Sequence, residues 1–169
     1  MKRYGIKTLS SSFAIALIGF VLTPESVEGQ QSGAEDVKTA IRTAWNAYID
    51  AFSAGRTDLV ASAVYAAPSY QLGSTGATLR LTVGDVEAAF EAIHTSLDEE
   101  RYDRSETDAA TICVINGGTA LLSAHYTRYR TDDTVLTTGA SSYLFAKFSD
   151  DWRIVAIIAN PSGKLIVCD

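Results

Sequence analysis

The chain has 169 residues, of which 47% are hydrophobic and 20% charged, and its formal net charge is −6. That length suits one domain able to bury a core without staples, and an acidic chain with no basic cluster argues against nucleic acid or an anionic membrane surface as partner. No Cys/His spacing resembles a zinc site, so neither a metal nor a cofactor is expected.

In chain order, Lys2, Arg3 and Lys7 form a basic start, and residues 13–22 are an unbroken apolar run. The run falls short of the roughly 20 residues that span a bilayer. Pro24 ends any helix there, and Val27 and Gly29 occupy the −3 and −1 sites of a cleavable export signal. The expected organisation is a signal peptide over residues 1–29, cut after Gly29, then a single domain over residues 30–169. The mature chain would be secreted or periplasmic, with no membrane attachment.

Residues 34–54 place Val37, Ile41, Ala44, Trp45, Tyr48 and Phe52 on one face of an amphipathic helix, which Gly55 stops. Asp58 reads as the N-cap of a short helix over residues 59–65, closed by Pro68. Residues 69–72 and 77–81 read as a hairpin around Gly73 and Gly76. Thr82 and Asp85 have the spacing of a capping box, opening a helix with Val86, Ala89, Phe90, Ile93 and Leu97 on one stripe. His94 lies at the margin of that stripe and is expected to be partly exposed.

Beyond Arg101 the period becomes two. Residues 108–115, 119–130, 134–148 and 152–159 read as four strands, with a hairpin turn at Asn116-Gly117-Gly118. Helices, a hairpin, a helix and a long meander make an α+β domain. The two cysteines, Cys113 and Cys168, invite pairing in an oxidising compartment. Cys113 also reads as a buried thiol between Ile112 and Val114. Both readings stand, because pairing needs an approach of two backbones that spacing alone does not give.

Three segments carry a resemblance. Residues 48–58 (YIDAFSAGRTD) are similar to the end of the first helix of the nuclear transport factor 2-like superfamily, residues 82–90 resemble the start of its third helix, and Asp151-Trp152-Arg153-Ile154 resembles the start of its last strand. The superfamily includes ketosteroid isomerase and SnoaL-like cyclases. Residues 125–130 with 143–145 look like those of a small exported subgroup without an assigned reaction. The resemblance implies a cone of helices on a curved, mostly antiparallel sheet, and a homodimer.

It does not imply steroid isomerisation. That reaction needs a tyrosine, a neutral acid and a carboxylate base. Tyr48 falls at the tyrosine position, but Leu72 falls at the base and Tyr143 or Leu144 at the acid. The candidate acid/base is instead His125, with Tyr48 as its partner. His125 alternates with Ser123, Thr127 and Tyr129, opposite Ala124, Tyr126, Arg128 and Arg130. The histidine set is expected to face the cone, since two arginines are costly to bury unpaired.

The reading is therefore an exported domain binding a small, mostly apolar molecule. Trp45, Tyr48, Phe90, Ile93, His125, Tyr129 and Tyr143 are the candidate lining. A one-base isomerase, dehydratase or cyclase using His125 is one alternative. A protein-interaction module working through Tyr126, Arg128 and Arg130 is the other.

Overall fold

The computed structural model describes residues 27–149, 151–160 and 163–168, with side chains from Gly33 onward. The expected export signal lies, up to residue 26, outside the described residues. Val27, Glu28 and Gly29 form the first turn of α1 (Val27–Ser53). A short α2 (Thr57–Leu59) continues into a π-helical turn over Val60–Val64. Then come β1 (Tyr65–Gly73), β2 (Gly76–Arg80), α3 (Val83–Glu99), β3 (Tyr102–Asn116), β4 (Thr119–Arg130), β5 (Val135–Phe148) and β6 (Asp151–Ala159).

The six strands form one sheet in the order β2-β1-β6-β5-β4-β3. Only the β1–β6 pair is parallel. This is an α+β fold with the helices packed on one face of a curved, mostly antiparallel sheet. The helical stripe of α1 drives the packing: Ile41, Trp45, Tyr48 and Phe52 are all buried. Trp45 Nε1 donates to Thr107 Oγ1 on β3 at 3.0 Å, and the Ser105 amide donates to Ser53 Oγ at 3.1 Å. Both halves of the capping box form at α3, with Asp85 N–H donating to Thr82 Oγ1 and the Thr82 amide donating to Asp85 Oδ2.

Asp58 does not cap the second helix. The helix starts one residue earlier, and the Asp58 carboxylate instead accepts two hydrogen bonds from Arg56 at 2.9 and 2.8 Å. Pro68 does not close a helix but lies within β1, where its missing N–H is tolerated beside a break in the β1–β6 register. β3 begins six residues before its expected start. Its extra length carries Asp103, Arg104 and Glu106, an ion-paired set that suits an exposed edge strand.

Cys113 and Cys168 form a disulfide, with Cα atoms 5.6 Å apart. The bond pins the C-terminal segment across the sheet face opposite the helices. Along the way the Ile166 amide donates to Ser123 Oγ at 3.0 Å, and Thr111 Oγ1 donates to the Ile166 carbonyl. Ser142 Oγ, 2.9 Å from Ser123 Oγ, completes a buried hydroxyl pair beneath this strap.

Candidate functional site

The inner face of β4 is fixed by Ala120, Leu122 and Ala124, all fully buried against the helices. Strand alternation then carries Tyr126 and Arg128 to that same face. This reverses the expectation from sequence. His125 and Tyr129, with Ser123 and Thr127, belong to the opposite face. Burial of three small or aliphatic side chains outweighs the penalty on one arginine, because a one-residue slip would turn the whole apolar set out to solvent.

His125 sits in a surface recess with Asn160 and Gly163, under the strap. Tyr129 lies beneath the Arg104 guanidinium, 4.6 Å from ring centroid to Cζ. Neither reaches the cone. Arg130 is occupied on the surface, donating to the carbonyls of Glu100 and Val135. Tyr126 and Arg128 turn towards the cone while Arg130 is engaged at the surface, so the three do not form one outer face as expected; Arg128 also reaches a groove beside Leu97 and Glu100.

The cone encloses a cavity of about 80 Å³ between α1, α3 and the sheet. Tyr48, Phe90, Ile93 and Tyr143 line it, joined by Phe52, Tyr65 and Ile157. Trp45 lies one layer behind, stacked against Tyr143 with ring centroids 4.7 Å apart and against Tyr48 at 5.4 Å. It supports the wall without lining it. The volume equals two or three waters at roughly 30 Å³ each.

Polar groups converge there. Burial holds the phenols of Tyr48, Tyr65 and Tyr143 well above their ordinary range, and neighbouring hydroxyls add to the effect. All three are therefore neutral donors at neutral pH. The Tyr65 hydroxyl is buried with no partner in hydrogen-bonding geometry, although the Tyr48 hydroxyl perturbs it.

Arg128 is the other unsatisfied group. Its Cζ lies 5.2 Å from the Phe52 ring centroid and 5.1 Å from that of Tyr126, so two aromatic rings flank the cation. Its Nε is buried without a hydrogen-bond partner among the described residues. Aromatic faces offset part of the desolvation of a guanidinium, by about 0.5–2 kcal/mol each, but they accept no conventional hydrogen bond. No described Asp or Glu lines the cavity; its second cation, Arg80, donates to Gln71 Oε1 at 2.6 Å.

Tyr126 can lie across β5 only because Gly139 has no side chain. A Cβ there would stand 2.5 Å from the Tyr126 hydroxyl oxygen and 2.7 Å from Cζ. Sequence reasoning missed Arg128, Tyr65 and Gly139. The available signal was Gly139 itself, a glycine inside a strand, which marks a close approach of another group.

A profile of the NTF2-like protein family DUF6841 matches residues 35–162. The chain belongs to that family. No curated protein sequence matches it. An NTF2-like protein with a cystatin-like fold from Novosphingobium aromaticivorans is 13% identical, with a TM-score of 0.63 covering 83% of this chain and 96% of that one. Aln2 from a Streptomyces species gives 0.61 at 16% identity, covering 73% and 89%. An NTF2-like superfamily protein from Salmonella enterica serovar Typhimurium gives 0.56 at 20%, covering 75% and 92%. At these identities the likeness shows the fold alone.

Within this NTF2-like domain the second histidine also departs from expectation. His94 is buried, not partly exposed, with its ring 4.6 Å from that of Phe52 and its Nε2 without a partner. Burial lowers its pKa below 6.5; Asp98 opposes this and Arg128 adds to it. The folded state thus binds the imidazole proton less readily than the unfolded chain does. Its contribution is complete above pH 6.5 and is lost as the pH falls below that value. Urea midpoints between pH 7.5 and 5 should fall more for the wild type than for His94→Leu. Parallel curves would mean that His94 adds nothing to the pH dependence of folding.

Proposed function

We propose that this chain is an exported NTF2-like domain that binds a small, mostly apolar molecule in its cone, as a binding protein and not through a histidine base. The observation that carries the reading is the cavity itself. It is an aromatic enclosure with two buried polar groups, Tyr65 Oη and Arg128 Nε, left without partners. Buried polar groups are nearly always satisfied, so two orphans at one cavity call for a ligand or ordered water between them.

The alternative of one-base catalysis by His125 loses its support, because that imidazole lies on the other face of the sheet. Tyr48, the other candidate catalytic residue, is held neutral by burial and suits hydrogen-bond donation. The disulfide supports an exporting pathway, since such bonds persist mainly outside the reducing cytosol. The homodimer remains part of the proposal. The exposed apolar side chains Tyr70 and Leu79, paired across the β1–β2 hairpin, offer a surface for it.

Filling the cavity tests the reading. Saturation-transfer NMR with isobutyramide as probe should give a signal from the wild-type protein, and Ile93→Trp should remove it. Equal signals from the two proteins would place binding elsewhere and sink the cone as the site.

A further inference from the structure

The orphaned groups define the chemistry of the ligand more narrowly than the cavity does. We infer that the cone takes a small monocarboxylate, its carboxylate on the Nε edge of Arg128 and its apolar body against Phe90 and Ile93. This rests on the cone-binding reading above.

Charge comes first. The cavity lining contains two arginines and neither aspartate nor glutamate, and of the two only Arg80 has a side-chain acceptor. Arg128 makes no hydrogen bond or ion pair with any described residue, and its Nε is shielded from solvent. The Arg128 side chain is half-buried, and it is its Nε edge, hidden from water with no partner among the described residues, that forgoes a hydrogen bond. That hydrogen bond is recovered when an acceptor enters the cone, and a carboxylate is the acceptor that also answers the guanidinium's charge.

Shape comes second. Phe52 and Tyr126 flank the guanidinium and leave its edges for hydrogen bonding. A guanidinium edge offers parallel N–H groups that match the two oxygens of a carboxylate. The neutral Tyr65 hydroxyl lines the same cavity as an additional donor. Size and polarity come third. About 80 Å³ walled by Phe90, Ile93 and Ile157 admits a short apolar chain but not a hydrated dianion. One free guanidinium also matches one negative charge.

Gly139 fits the same design. Any side chain there would displace the Tyr126 ring that flanks the cation.

Isothermal titration with isobutyrate, its neutral isostere isobutyramide and inorganic phosphate decides the matter. Isobutyrate should bind the wild-type protein about tenfold or more tightly than isobutyramide, with phosphate the weakest. Arg128→Gln should abolish that preference, bringing isobutyrate down to the affinity of isobutyramide or below it. A thermal melt of the unliganded variant shows whether it is folded. Should it not fold, Arg128→Met replaces it, filling the same apolar surroundings without the charge, and the preference should again be lost. Equal binding of isobutyrate and isobutyramide to the wild type would overturn the carboxylate inference and leave cone binding intact. Phosphate as the tightest probe would overturn the carboxylate class. No binding of any probe up to about 10 mM would overturn both this inference and the reading beneath it.

Discussion

Cys113→Ser, alone or with Cys168→Ser, is expected to lower the unfolding free energy by about 3–4 kcal/mol in non-reducing buffer. The bond closes a segment of 55 residues that contains β4, β5 and β6. Releasing that loop raises the entropy of the unfolded chain, by about 4 kcal/mol at 25 °C on the chain-entropy account. Part of this is returned, because the freed strap also gains motion in the folded state. Its other ties include the Ile166 amide on Ser123, the Ile166 carbonyl on Thr111 and the Lys164 carbonyl, which accepts from Asn160 Nδ2. Urea unfolding of the wild type with and without reductant, beside the serine variant, checks the size of the effect. Reduced wild type and variant should coincide. A loss below about 1 kcal/mol would mean that the strap and its bond are incidental to stability.

Much of this fold was legible because local and long-range signals agreed. The capping box at Thr82 and Asp85 forms in full, and the glycines at Gly117 and Gly118 make the expected turn. The stripe of α1 from Val37 to Phe52 packs as its spacing requires. Each of these depends on neighbours in the chain, where spacing alone carries the physics.

The orientation of β4 was not legible for the same reason. Leu121 and Leu122 are adjacent, so hydrophobic alternation offers no preference at its strongest residues. The choice fell to Arg128, and the rule that unpaired arginines stay outside pointed the wrong way. Where a sound rule fails inside a well-packed fold, the exception usually serves function. That the face of Ser123 and His125 is partly covered was hidden by a second non-local fact. The strap from Gly163 to Cys168 covers a sheet surface that would otherwise meet solvent. A strand read on its own cannot report what crosses it from far along the chain.

Trp45→Ala is expected to cost about 3–5 kcal/mol and to change what the cone admits. The indole is 4% exposed, and its removal forfeits both its apolar burial and the contacts of the cavity left behind. It also strips the donor from Thr107 Oγ1, which now accepts from Nε1 at 3.0 Å. Trp45→Phe should be much milder, about 1–2 kcal/mol, since a ring remains to prop its neighbours. Those neighbours are Tyr48 and Tyr143, the wall between the indole and the cone. With nothing behind them, the two rings can tilt back into the vacated space. The cone then grows beyond its 80 Å³ on the side away from Arg128's flanking rings, Phe52 and Tyr126. Urea unfolding reads the stability loss, and titration with benzoate beside isobutyrate reads the volume. Benzoate should gain on isobutyrate in the alanine variant while Arg128 still selects the anion. An unchanged ratio would show that Tyr48 and Tyr143 hold their places without the indole. The cone's size would then be set by the sheet rather than by α1.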